Sequence, residues 1–201
     1  MGFGWLLVGY FFANFMSLYS PLSIGMLIGY PMMIMGLYRL APYHNRFRYT
    51  FYLSFLSLPF AIYFSLYGLA QMGFGSYPFL GGIFFMVMEW GYFIFSFAFH
   101  AFLLSAIAAL TQELGLAALQ GNAWRNMIFV ALYYILDCFA RLPIGWVLAH
   151  RNYFSLSVIL LRIIFMMLNM YLIFKCYRHI CPEGDETMPE PKRKGEKGEK
   201  K

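Results

Sequence analysis

The sequence predicts an all-α, polytopic integral membrane protein of about six transmembrane helices, with both termini in the cytoplasm. Three observations lead there. Of 201 residues, 61% are hydrophobic and 12% charged, whereas about a quarter of an ordinary soluble domain is charged. Apolar runs recur at about the 20-residue length that a spanning helix needs. Lys and Arg gather in alternate connections, the asymmetry that orients membrane proteins. A soluble domain of this size could not hide so much apolar surface, whereas lipid tails solvate the outer faces of helices.

The first helix is expected over residues 3–19. Met1-Gly2-Phe3-Gly4-Trp5 lacks the basic n-region of a signal peptide, so the run reads as a retained span. Ser20-Pro21-Leu22-Ser23 marks a tight turn, and the second helix follows over 22–40 with Gly25-xxx-Gly29 and Pro31. Small residues four apart let helices approach closely, and the proline removes one backbone bond. The polar, basic stretch 41–49 reads as a loop before a third helix over 50–70, with Pro59 near its middle.

After a short turn at 71–78, the apolar run 79–110 forms a fourth helix longer than one span requires. Residues 111–124 are mixed in character. Gly115 suits a helix end, Asn122 suits a cap, and Leu110, Leu114 and Ala117 share a face, which predicts a short helix lying on the membrane. A fifth helix is expected over 125–149, interrupted by Pro143, and a sixth over 153–177. Residues 1–180 thus form the transmembrane domain. Residues 181–201, rich in Pro, Gly, Glu and Lys, form a charged cytoplasmic tail expected to be disordered.

With both termini inside, twelve basic residues are cytoplasmic: Arg39, Arg46, Arg48, Arg125, Lys175, Arg178 and six in the tail. The external turns hold only Arg151, and Arg141 and Arg162 lie within spans, completing the fifteen. Topology therefore accounts for the net charge of +6, and no nucleic-acid partner is implied. The lipid bilayer is the expected surrounding, and the compact loops point to a bacterial plasma membrane.

The informative residues are the charges inside the spans: Glu89, Asp137, Arg141 and Arg162. Each costs about 2.5–3.5 kcal/mol at the bilayer centre on insertion scales, so such groups face the bundle interior and find partners. Helix positions put all four roughly 10–15 Å from the external surface or one turn deeper. The expectation is a cluster in which Glu89 meets Arg162 or Arg141 and Asp137 completes it. It serves either packing of helices four to six or a substrate or proton site. Ser96 and His100 share the Glu89 face at i+7 and i+11, and Asn169 follows Arg162 at i+7. A lone histidine there is more often a satisfied polar residue than a ligand.

No nucleophile elbow, zinc-protease pair, Walker A loop or dinucleotide fingerprint occurs. No cofactor is expected. Cys138, Cys176 and Cys181, even with His179, match no zinc spacing, so no metal is expected either.

Gln112-Glu113-Leu114-Gly115-Leu116, Trp124-Arg125-Asn126 and the following Tyr133-Tyr134 resemble uncharacterised small polytopic membrane proteins of Gram-positive bacteria, and that resemblance implies no activity. Size and helix count also resemble the substrate-binding subunits of energy-coupling-factor transporters, although that family's Ala-xxx-Ala coupling motif is missing from the first helix.

The first functional expectation is an accessory or interaction subunit of a membrane assembly, meeting a protein partner or a second copy through the Gly25 and Gly29 face. The second is a small transporter or substrate-binding subunit using the charge cluster, with prolines in helices two, three and five. The third is a membrane-embedded enzyme using Glu89 and His100.

Overall fold

The computed structural model describes residues 2–16, 24–74, 80–142 and 144–180. Among them there is helix and turn but no strand. Helix α1 is Gly2–Phe11, continued by a π-helical turn at Phe12–Met16. Helix α2 is Ile24–Leu40, α3 is Asn45–Ser54 and α4 is Ser57–Gln71. Helix α5 is Gly82–Glu113, α6 is Ala117–Arg141, α7 is the short Gly145–Ala149, and α8 is Arg151–Ile180. Three helical stretches, Asn45–Gln71, Gly82–Glu113 and Asn152–Ile180, are long and apolar enough to cross a membrane. The turn at 20–23 and the tail at 181–201 lie outside the described residues.

Local chemistry explains several boundaries. The third helix starts at Asn45, ahead of the expected residue 50, because His44 caps it: its Nδ1 accepts from the Arg46 amide at 3.0 Å. Its break falls at Phe55–Leu56, where the backbone tightens to i→i+3 bonds, among them the Leu58 amide on the Phe55 carbonyl at 3.2 Å. Pro59 has no amide to continue the α pattern, and as the third residue of α4 it needs none.

Helix α5 ends in a Schellman turn. Gly115 takes φ +72°, the Leu116 amide reaches the Thr111 carbonyl at 2.8 Å, and the Gly115 amide reaches Gln112 at 3.1 Å. The chain re-enters helix at once. The expected surface helix over 111–124 is therefore absent: α6 begins at Ala117, and Asn122 sits within it rather than capping it. At its other end α6 stops at Arg141, two residues before Pro143 and eight short of the expected Ala149; a separate short helix follows. The backbone ahead of a proline is driven out of the α region, and Leu142 is extended at ψ 135°.

The helices close into a ring. Helix α1 packs on α2, α2 on α3 and α4, those two on α5, α5 on α6, α6 on α8, and α8 returns to α1. The α1–α2 seam is the closest. A Cβ on Gly9 would lie 2.7 Å from the Gly29 carbonyl oxygen, and one on Gly36 would lie 2.7 Å from the Leu6 amide nitrogen. Gly25 likewise faces Phe12 and Met16 of the same chain. Gly25 and Gly29 are thus occupied inside the molecule, and the outward contact face expected of them is not there. Phe3, Leu6, Tyr10, Met33, Leu37 and Phe47 bury completely around this seam.

Candidate functional site

A cavity of about 320 Å³ lies inside the ring. Its lining comes from six elements: Asn14 of the π turn, Met26 of α2, Phe64 and Tyr67 of α4, Glu89 and Ser96 of α5, Tyr133 and Asp137 of α6, and Arg162 and Phe165 of α8. Asn14 explains the π turn in part. Its side chain donates to the Tyr10 carbonyl at 3.0 Å, competing with the regular backbone bond one turn back.

Glu89, Asp137 and Arg141 meet at one part of this lining. Arg141 donates through Nη1 to Glu89 Oε1 at 2.7 Å and through Nη2 to Asp137 Oδ2 at 3.1 Å. Its guanidinium also lies over Phe93, at 5.3 Å, and Trp90, at 5.8 Å, so the rings add a cation–π contribution. The Arg141 Nε has no hydrogen-bond partner among the described residues. Because α6 ends at Arg141, this triad stands at the end of its helix and not one to two turns inside it. Its side chains are correspondingly graded in exposure, from 12% for Asp137 to 39% for Glu89.

Arg162 is not in the triad. Among the described residues it has no hydrogen-bond partner, and no carboxylate lies within 4.0 Å of it. It lines the same cavity, one turn from Phe165, whose ring packs on Tyr133 at 4.8 Å and on His100 at 5.5 Å. The expected four-charge cluster is thus three charges and one apart. Arg141 takes both carboxylates because it shares a helix face with Asp137 at i+4 and faces Glu89 across the α5–α6 contact.

His100 belongs to a buried polar chain. Its Nδ1 faces the Ser96 carbonyl at 2.7 Å, and a carbonyl only accepts, so Nδ1 carries the proton. In the neutral ring Nε2 is then the acceptor, taking the Tyr10 hydroxyl at 3.1 Å. Tyr10 in turn accepts from Asn169 Nδ2 at 3.1 Å. Tyr134 donates to Ser96 Oγ at 2.5 Å, and Tyr30 and Tyr92 share a bond of 2.9 Å. Asn169 Oδ1 is buried without a hydrogen-bond partner among the described residues. These bonds join α1, α2, α5, α6 and α8.

No protein-family model matches this chain, and no curated protein or solved structure matches it significantly. The geometry of the cavity therefore stands on its own chemistry. Ser96, His100 and Asn169 were readable as polar positions on helix faces, but their partners Tyr10 and Tyr134 were not, since a tyrosine in an aromatic-rich membrane sequence carries no distinguishing mark. Among the described residues no group of three His, Cys, Asp or Glu comes together.

Proposed function

We propose that this chain is a multi-pass membrane protein that binds a small polar solute inside its helix ring, as a small transporter or as the substrate-binding subunit of one. The observation that carries the reading is the cavity itself, to which six elements of the ring contribute and where Arg162 presents a charge with no counter-ion among the described residues. An ionisable group within a membrane bundle that faces a cavity and lacks a partner marks a solute path more readily than a packing device.

The membrane setting is supported by the outer surface. Ile83, Tyr153, Ile94, Ile135 and Trp146 are all more than half exposed, open apolar surface of the kind that a lipid bilayer covers. Helices α1, α2 and α6 pack in the same ring as the three long apolar stretches, which supports six spans, with α3 and α4 counted as one. A common end for the basic residues supports cytoplasmic termini. Arg39 lies over Trp5, the Gly4 position touches Tyr177 near Arg178, and His44 reaches Glu113 at 3.9 Å beside the start of α6. A bacterial plasma membrane remains the proposed location.

Native mass spectrometry of the full chain, gently released from its own membrane, tests the reading. The expected result is a small molecule retained at one per chain and lost in Arg162→Gln. A stoichiometric protein partner with an empty cavity would instead favour the accessory-subunit reading. The enzyme reading gains no support, because both ring nitrogens of His100 are already engaged.

A further inference from the structure

Resting on the binding reading above, the charges in the cavity narrow the class of solute. Glu89 and Asp137 contribute two negative charges and Arg141 one positive, so the triad carries a net charge of −1. Each carboxylate uses one oxygen on Arg141, and the other oxygen, Glu89 Oε2 and Asp137 Oδ1, takes no hydrogen bond from the described residues. Elsewhere on the same cavity Arg162 carries +1 with no counter-ion among the described residues. The wall is therefore neutral in sum and polarised in place, with an acceptor site and a donor site separated by more than 4.0 Å.

We propose that the solute is a small zwitterion of the amino-acid type, its carboxylate on Arg162 and its ammonium on the free oxygens of Glu89 and Asp137. A simple anion would satisfy Arg162 and leave the triad's charge uncompensated. A simple cation would do the reverse, and a neutral solute would leave both. In surroundings of low dielectric each uncompensated charge weighs heavily. The planar guanidinium suits a carboxylate in the paired, two-bond geometry. The same cavity is also lined by Phe64, Phe85, Tyr133 and Phe165, which gives an apolar side group a surface to pack on.

The experiment is calorimetric titration of the full chain in lipid nanodiscs with leucine, phenylalanine, phenylalaninamide, N-acetylphenylalanine and inorganic phosphate. Binding of at least one of the two amino acids is expected. Phenylalaninamide lacks the carboxylate and N-acetylphenylalanine lacks the ammonium, and each should bind at least about tenfold more weakly than phenylalanine, as loss of a charge-assisted contact implies. Arg162→Gln should erase the preference for phenylalanine over its amide while leaving its preference over the N-acetyl compound, and Glu89→Gln should do the converse. Tight binding of N-acetylphenylalanine or phosphate would show a plain anion site and overturn the zwitterion, as would tight binding of the amide alone. If neither amino acid binds, the zwitterion is overturned. A different small molecule retained in the native mass spectrum would then leave the binding reading standing, and an empty spectrum would remove both.

Discussion

Two sides of the ring are built on opposite rules. Where α1 meets α2, glycines at 9, 29 and 36 bring backbone against backbone and leave no space for a Cβ. Where α5, α6 and α8 meet, long polar and aromatic side chains stand between the helices and a cavity remains. In a membrane, lipid is as apolar as the helix surface, so association rests on close packing and interhelical hydrogen bonds rather than on escape from water. This chain applies the first device on one side and the second on the other. Close packing through small residues thus holds one side of the ring, and polar and aromatic side chains around a cavity make up the other.

The comparison breaks most sharply at the seam. Gly29→Leu should destabilise by about 3 kcal/mol or more, at the upper end of overpacking costs, because the obstacles include the Gly9 carbonyl and backbone that cannot rotate away. Size-exclusion profiles and thermal unfolding in detergent would register it as loss of the monodisperse protein. Wild-type behaviour would show that α1 and α2 are not held this closely.

On the polar side, Arg141→Met leaves Glu89 and Asp137 facing each other uncompensated. Fully buried pairs broken in this way lose about 3–5 kcal/mol. Partial exposure of this triad lowers the expectation to about 2 kcal/mol, readable as a drop in melting temperature. Restoring neutrality with Glu89→Gln in the Arg141→Met background should recover part of that loss; no recovery would mean the arginine acts by packing on Trp90 and Phe93.

Tyr10→Phe removes the hydroxyl shared by His100 and Asn169. Two buried groups lose a partner, for an expected cost of about 1–2 kcal/mol, against near-neutrality for Tyr153→Phe on the outer surface. Equal effects at the two positions would sink the buried polar chain as a link between α1, α5 and α8.

Smallest of all should be Arg162→Gln. A cation without a partner contributes no ion pair, so stability should stay within about 0.5 kcal/mol of the parent or rise. Solute retention, by contrast, should be lost. A fall as large as that from Arg141→Met would make Arg162 a structural residue and erase the contrast between the two arginines.

Much of this was legible beforehand. The apolar runs gave the helical class and the approximate place of each helix, because a chain that must satisfy every backbone bond in lipid has little choice but helix. Glu89, Asp137 and Arg141 were identifiable as charges in apolar surroundings, and the i+4 spacing of the last two already put them on one face. Boundaries were less legible. His44 as a cap and the Schellman turn at Gly115 depend on a few local bonds, and they moved the third helix start by five residues and the fifth by eight.

By itself, then, the sequence determined composition, helix periodicity and the list of charges that a membrane would tolerate only in its interior, since these follow from local spacing and transfer cost. The tertiary structure decided which charges pair. Arg141 and Arg162 are the same residue type in similar apolar runs. One ends its helix opposite Glu89, and the other lines the same cavity with no carboxylate of the described residues within 4.0 Å. That difference depends on how far each helix extends and which neighbour the closing ring sets beside it, neither of which a linear spacing encodes.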